Sequence, residues 1–66
     1  MNDPLIGKEF YLKHPAIDNN EIRKLRVTER NFWGNDAVIV CNVIEGQGDW
    51  CMVYPSELPE ELQVYA

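Results

Sequence analysis

Residues 37–54, AVIVCNVIEGQGDWCMVY, read as a β-hairpin, and that reading decides the fold. The run 37–44 is nearly continuously apolar and β-branched, the pattern of a strand covered on both faces. Glu45-Gly46-Gln47-Gly48-Asp49 has the length and glycine content of a hairpin connection, and residues 50–54, WCMVY, return as the partner strand. Pro55-Ser56-Glu57-Leu58-Pro59 follows at once and cannot continue a ladder, because proline lacks the N–H donor. Ser56 is placed to cap one helical turn containing Glu57 and Leu58.

Upstream, Asp3-Pro4 and Gly7 are turn signals, and Leu5 and Ile6 are available to pack under the edge of a sheet. Residues 8–14, KEFYLKH, place Phe10 and Leu12 on one face and Tyr11 and Lys13 on the other, a half-buried strand that Pro15 ends. Residues 15–20, PAIDNN, read as a loop. Residues 21–30 admit two readings. As a strand they point Leu25 and Val27 inward, with Lys24, Arg26 and Thr28 outward. As a helix they would take Asn20 as N-cap, with Ile22, Leu25 and Glu29 down one side. The β-branched pair Val27-Thr28 and the poor helical spacing favour the strand. Residues 31–36, NFWGND, read as an aromatic-bearing turn, and residues 62–65, LQVY, alternate as a last short strand does.

Short strands separated by turn signals predict an all-β protein, a small five-stranded barrel with a short 3₁₀ turn before the last strand, in one domain spanning residues 1–66. The run Val53-Tyr54-Pro55-Ser56-Glu57-Leu58 followed by Val64 resembles the end of an SH3-like barrel, and Gly48-Asp49-Trp50 is similar to a motif of SH3 domains. The resemblance covers the C-terminal third and implies a topology. The family's early aromatic motif is absent, so no ligand is carried over.

Composition bounds the function. With 45% apolar residues and seven aromatics, the chain has the means to form a small core. It shows neither the basic-then-apolar start of a signal peptide nor an apolar run long enough to span a membrane, so a cytoplasmic home is expected. Net charge is −5, unevenly spread. All six basic residues, Lys8, Lys13, Arg23, Lys24, Arg26 and Arg30, fall within the first 30 positions. Residues 31–66 carry Asp36, Glu45, Asp49, Glu57, Glu60 and Glu61 with no Lys or Arg, a formal −6. Such asymmetry bears on partners rather than on fold.

Little here points to catalysis. His14 beside Pro15 has no nucleophile motif around it, and Cys41 and Cys51 lack the further ligands a metal site needs, so neither catalytic residues, metal nor cofactor are expected. The two cysteines read as buried structural thiols on facing strands. Gly46-Gln47-Gly48 is too short for a phosphate loop and precedes a strand.

Two binding readings remain. In the first, the chain is a non-catalytic protein-binding module, a small accessory or regulatory factor, using Trp33, Asp49, Trp50, Tyr54, Glu57 and Glu60. Its expected partner is another protein with a basic patch, with inhibition of a nucleic-acid-binding protein as one form of the role, and self-association as a further possibility. In the second, Arg23, Lys24, Arg26 and Arg30 with Phe32 and Trp33 bind nucleic acid. The small basic footprint makes the second the weaker.

Overall fold

The alternating and β-branched stretches form an antiparallel meander in the computed structural model, which describes residues 3–13 and 22–66. Strands β1 (Glu9–Lys13), β2 (Ile22–Trp33), β3 (Asp36–Glu45) and β4 (Trp50–Val53) make one sheet in the order β1-β2-β3-β4. Two 3₁₀ segments follow, Pro55–Glu57 and Glu60–Tyr65. The strand reading of the ambiguous basic segment holds over its described part. The loop expected at residues 15–20, and His14, lie outside the described residues.

Among the described residues the sheet is open and four-stranded, which corrects the expected five-stranded barrel. The expected last strand is a 3₁₀ segment instead. A strand would put Leu62 and Val64 on one face, yet Leu62 is buried and Val64 is 79% exposed. Three residues per turn place Leu62 above Tyr65, and both pack against the core. The expected turn over 31–36 is also shorter than read. β2 runs to Trp33 and β3 starts at Asp36, so only Gly34 and Asn35 make the connection, with Gly34 at φ 65°.

One face of the sheet is covered. Phe10, Leu25, Val27, Ile39, Cys41 and Val53 project from the strands to meet Leu5, Leu58 and Leu62. Leu5 enters this core from a turn built on Asp3, whose Oδ1 accepts the Leu5 N–H at 2.9 Å while its carbonyl accepts the Ile6 N–H at 3.1 Å. The Gly7 N–H then reaches the Val27 carbonyl at 2.8 Å and ties the turn to β2.

Arg30 closes the assembly. Its guanidinium donates to the Asp3 carboxylate and to the Tyr65 carbonyl, joining the two ends of the described chain through β2. The hydrogen bond from Arg30 holds the Asp3 carboxyl below its ordinary value. Leu5→Ala should destabilise the fold by about 2–5 kcal/mol, as truncation of a wholly buried leucine does. The check is urea denaturation, read as a lower midpoint at unchanged slope.

Candidate functional site

Side-chain parity decides what the uncovered face displays. Ile39 and Cys41 of β3 and Cys51 and Val53 of β4 turn toward the core. Their alternating neighbours Val38, Val40 and Asn42, and Trp50, Met52 and Tyr54, therefore face the other way. On β2 the same count would send Glu29, Asn31 and Trp33 inward behind Leu25 and Val27. A bulge prevents this. Val27 pairs with Cys41 but Glu29 pairs with Val40, so Thr28 is an extra residue in the ladder. The Thr28 hydroxyl donates to the Val40 carbonyl at 3.1 Å and pins the irregularity. Beyond it Glu29, Asn31 and Trp33 join Val40, Val38 and Asp36 on the outer face, while Arg30 is turned toward Asp3.

The outer face has two unlike halves. On β1 and β2 it is a charge lattice. Arg26 donates through Nε and Nη2 to Glu9 at 2.9 and 2.8 Å, and Lys24 lies 3.6 Å from Glu9 and 3.7 Å from Glu45. Lys24 also stands over the Tyr11 ring, 5.4 Å from its centroid. The Arg26 hydrogen bond holds the Glu9 carboxyl below its ordinary value, and Lys24 is held above its own by Tyr11 first and then by Glu9 and Glu45.

On β3, β4 and the far end of β2 the same face is aromatic and bare. Trp33, Trp50 and Tyr54 are 66%, 60% and 49% exposed, and Phe32, of opposite parity to Trp33, borders this face from the end of β2. A shallow groove of about 420 Å³ runs between Glu29, Asn31, Phe32, Trp33, Val40, Trp50 and Met52. A second hollow of about 200 Å³ continues it past Val38 toward Tyr54. Val38 is buried, at 4% exposure, yet lies outside the main core cluster, because it floors this second hollow.

Trp33, Trp50 and Tyr54 thus come together on one surface, as nominees for protein contact. Asp49 lies in the loop directly before β4, its carbonyl accepting the Val43 N–H at 2.9 Å. Glu57 reaches back to the Tyr54 N–H at 3.4 Å, which sets it beside the far end of β4. Glu60 opens the second 3₁₀ segment, away from the groove lining. Glu29, Val40 and Met52 were not foreseen as lining residues. For Met52 the signal was present, since Trp50, Met52 and Tyr54 alternate; for Glu29 it depended on the bulge.

Of the nucleic-acid nominees, Arg26, Lys24 and Arg30 are each committed to a carboxylate. Arg23 points elsewhere. It pairs with Leu12 on the core side, over Gly46, where a Cβ would stand 2.9 Å from the Arg23 Cγ. Its Nε is buried with no partner among the described residues.

Cys41 and Cys51 are direct cross-strand partners and both are free thiols. The bond from Val43 N–H to Asp49 fixes the ladder's alternation, making Cys41–Cys51 a hydrogen-bonded pair. Such pairs hold their Cβ atoms at the wide end of the cross-strand range, about 5.5 Å, where a disulfide needs about 4.5 Å or less. Burial pushes the Cys41 thiol up to about 12, with Cys51 adding to the effect, and burial likewise raises Cys51. Among the described residues no group of three or more His, Cys, Asp or Glu is placed to hold a metal ion. No known protein family, curated protein or solved structure matches this chain.

Two outcomes follow from this geometry. Trp33→Ala and Trp50→Ala should each change stability by about 1 kcal/mol or less, because neither side chain belongs to the core. Thermal melts of the variants are the check. The Cys41 thiol has a folded pKa above its unfolded value of 9.0, so its contribution is complete below 9.0 and is lost as pH rises toward about 12. Denaturation across that alkaline window should show falling stability, and Cys41→Ser or Cys41→Ala should flatten the dependence.

Proposed function

We propose that this chain is a non-catalytic protein-binding module, a small accessory or regulatory factor, and that its aromatic groove is the contact surface. The observation that carries the reading is the pairing of three exposed aromatics on one sheet face with a half-chain that has no cation. Trp33, Trp50 and Tyr54 supply large anchors of the type that dominates interface energetics. Glu29 in the groove, with Asp49 and Glu57 at the two ends of β4, supplies negative potential around them. The complement is a protein surface that is both apolar and basic. A protein that binds nucleic acid through a basic patch meets that description, and occluding the patch would make this chain its inhibitor.

The nucleic-acid reading has less support. Three of its four cations already face carboxylates, which leaves little unpaired charge for phosphates. A non-catalytic role accords with thiols whose pKa values burial raises, since the thiolate is the nucleophile. No helix among the described residues is long and apolar enough to cross a membrane. A cytoplasmic home, which we propose with this role, accords with two free cysteines.

The test is capture of partners from the native cell extract with the wild-type chain and with a Trp33→Ala/Trp50→Ala variant shown to be folded. A protein retained by the first and lost by the second, with retention weakening as salt rises, is the expected result. Equal retention by both would remove the groove from the function. In a parallel titration, labelled single- and double-stranded DNA should not bind even at low salt. A shift that Arg23→Gln/Lys24→Gln/Arg26→Gln abolishes would replace this reading with the nucleic-acid one.

A further inference from the structure

β4 is an edge strand, and its chemistry coincides with that of the groove. The ladder to β3 pairs Cys41 with Cys51 and Ile39 with Val53 as hydrogen-bonded pairs, following the bond from Val43 to Asp49. Trp50 and Met52 occupy the alternate, non-hydrogen-bonded positions, so their N–H and C=O groups point away from β3. Among the described residues nothing pairs with them. The side chains of these same two residues line the aromatic groove. Residues 50–53 carry none of the usual guards of an exposed edge beyond their shortness, having no lysine, no proline and no bulge.

Resting on the groove as a protein-binding surface, we infer that β4 takes an extended, lysine- or arginine-bearing segment of the partner as an added fifth strand. Such a segment satisfies the outward backbone groups of Trp50 and Met52 and sets its alternate side chains beside those of Trp50 and Met52, at the β4 margin of the groove. Its cations answer the carboxylates of Asp49 and Glu57 at the ends of β4. The outer-face cation in the neighbouring row, Arg26, is held by Glu9 and does not oppose them. A second copy of this chain is a poorer occupant. Pairing β4 with itself would bring Asp49 and Glu57 of one copy near those of the other, between molecules of net charge −5.

The experiment titrates the full chain with a blocked, strand-length peptide of alternating valine and lysine, followed by tryptophan fluorescence and by hydrogen exchange at the Trp50 and Met52 amides. Saturable binding that slows both amides and weakens with salt is expected. The same peptide with glutamate for lysine should not bind, nor should the lysine peptide N-methylated at every second residue along each edge in turn, for one of the two edges. Met52→Pro removes the outward donor without breaking the β3 ladder, and it should bind about tenfold more weakly than Met52→Ala, which keeps that donor. If Met52→Pro does not fold, the methylated peptides on the wild-type chain decide the matter.

Equal binding by the methylated and unmethylated peptides overturns strand addition, and leaves the groove reading to its own capture test. Equal binding of the glutamate peptide overturns the charge assignment. No binding of the lysine peptide at low salt overturns the inference. Slowed Trp50 and Met52 amides in the protein alone, dependent on its concentration, would give the edge to a second copy instead.

Discussion

A four-stranded sheet has two faces, and the described residues outside its strands cover only one of them. That constraint governs the rest of the molecule. The covering pieces are short: a turn that delivers Leu5, and 3₁₀ segments that deliver Leu58, Leu62 and Tyr65. None is long enough to hold itself in place by its own backbone bonds. Arg30 binds Asp3 at one end and the Tyr65 carbonyl at the other, so the cover depends on a residue of the sheet it covers. Among the described residues no polar or charged side chain is wholly buried in the core it seals; the half-buried Arg23 leaves only its Nε buried without a partner.

The uncovered face must be tolerable in water, and its two halves meet that demand differently. Around Glu9, Lys24, Arg26 and Glu45 the surface is charged and internally matched. Around Trp33, Trp50 and Tyr54 it is apolar and unmatched. The boundary between them is the bulge at Thr28. Without that extra residue Trp33 would face the core side and Arg30 would face solvent, so groove and clamp would fail together. One irregularity in one ladder therefore sets both the stability of the covered face and the content of the open one.

The hairpin at residues 37–54 and the 3₁₀ turn at Pro55 were legible because they rest on local chemistry: β-branched runs, glycines in the loop, and a proline that ends the ladder. The strand over 22–30 was legible from the β-branched pair Val27-Thr28 and from apolar spacing that suits a helix poorly. Closure of the sheet was not, because it depends on whether the last segment pairs, and LQVY satisfies period 2 and period 3 almost equally well until Leu62 and Tyr65 find the core together. Trp50 and Tyr54 could be placed on one face by counting. Trp33 could not, since its parity is reversed by a bulge with no glycine to announce it. Which carboxylates meet Lys24, Arg26 and Arg30 of β2 was not legible, because Glu9 and Asp3 are brought to them from elsewhere in the chain.

Exposed aromatics forgo burial that is worth about 1.5–3 kcal/mol for each large apolar side chain. A chain that leaves them bare beside an open edge strand also risks pairing with itself. Here the cation-free half answers that risk. Asp49 and Glu57 bracket β4, so a second copy approaching edge to edge meets like charge at both ends of a four-residue strand. The same carboxylates attract a segment of opposite charge. Apolar side chains alone would make β4 a site of indiscriminate aggregation, and acidic residues alone would make it an inert rim. Set together, they disfavour edge-to-edge pairing of the chain's own copies and suit the basic segment proposed for that edge.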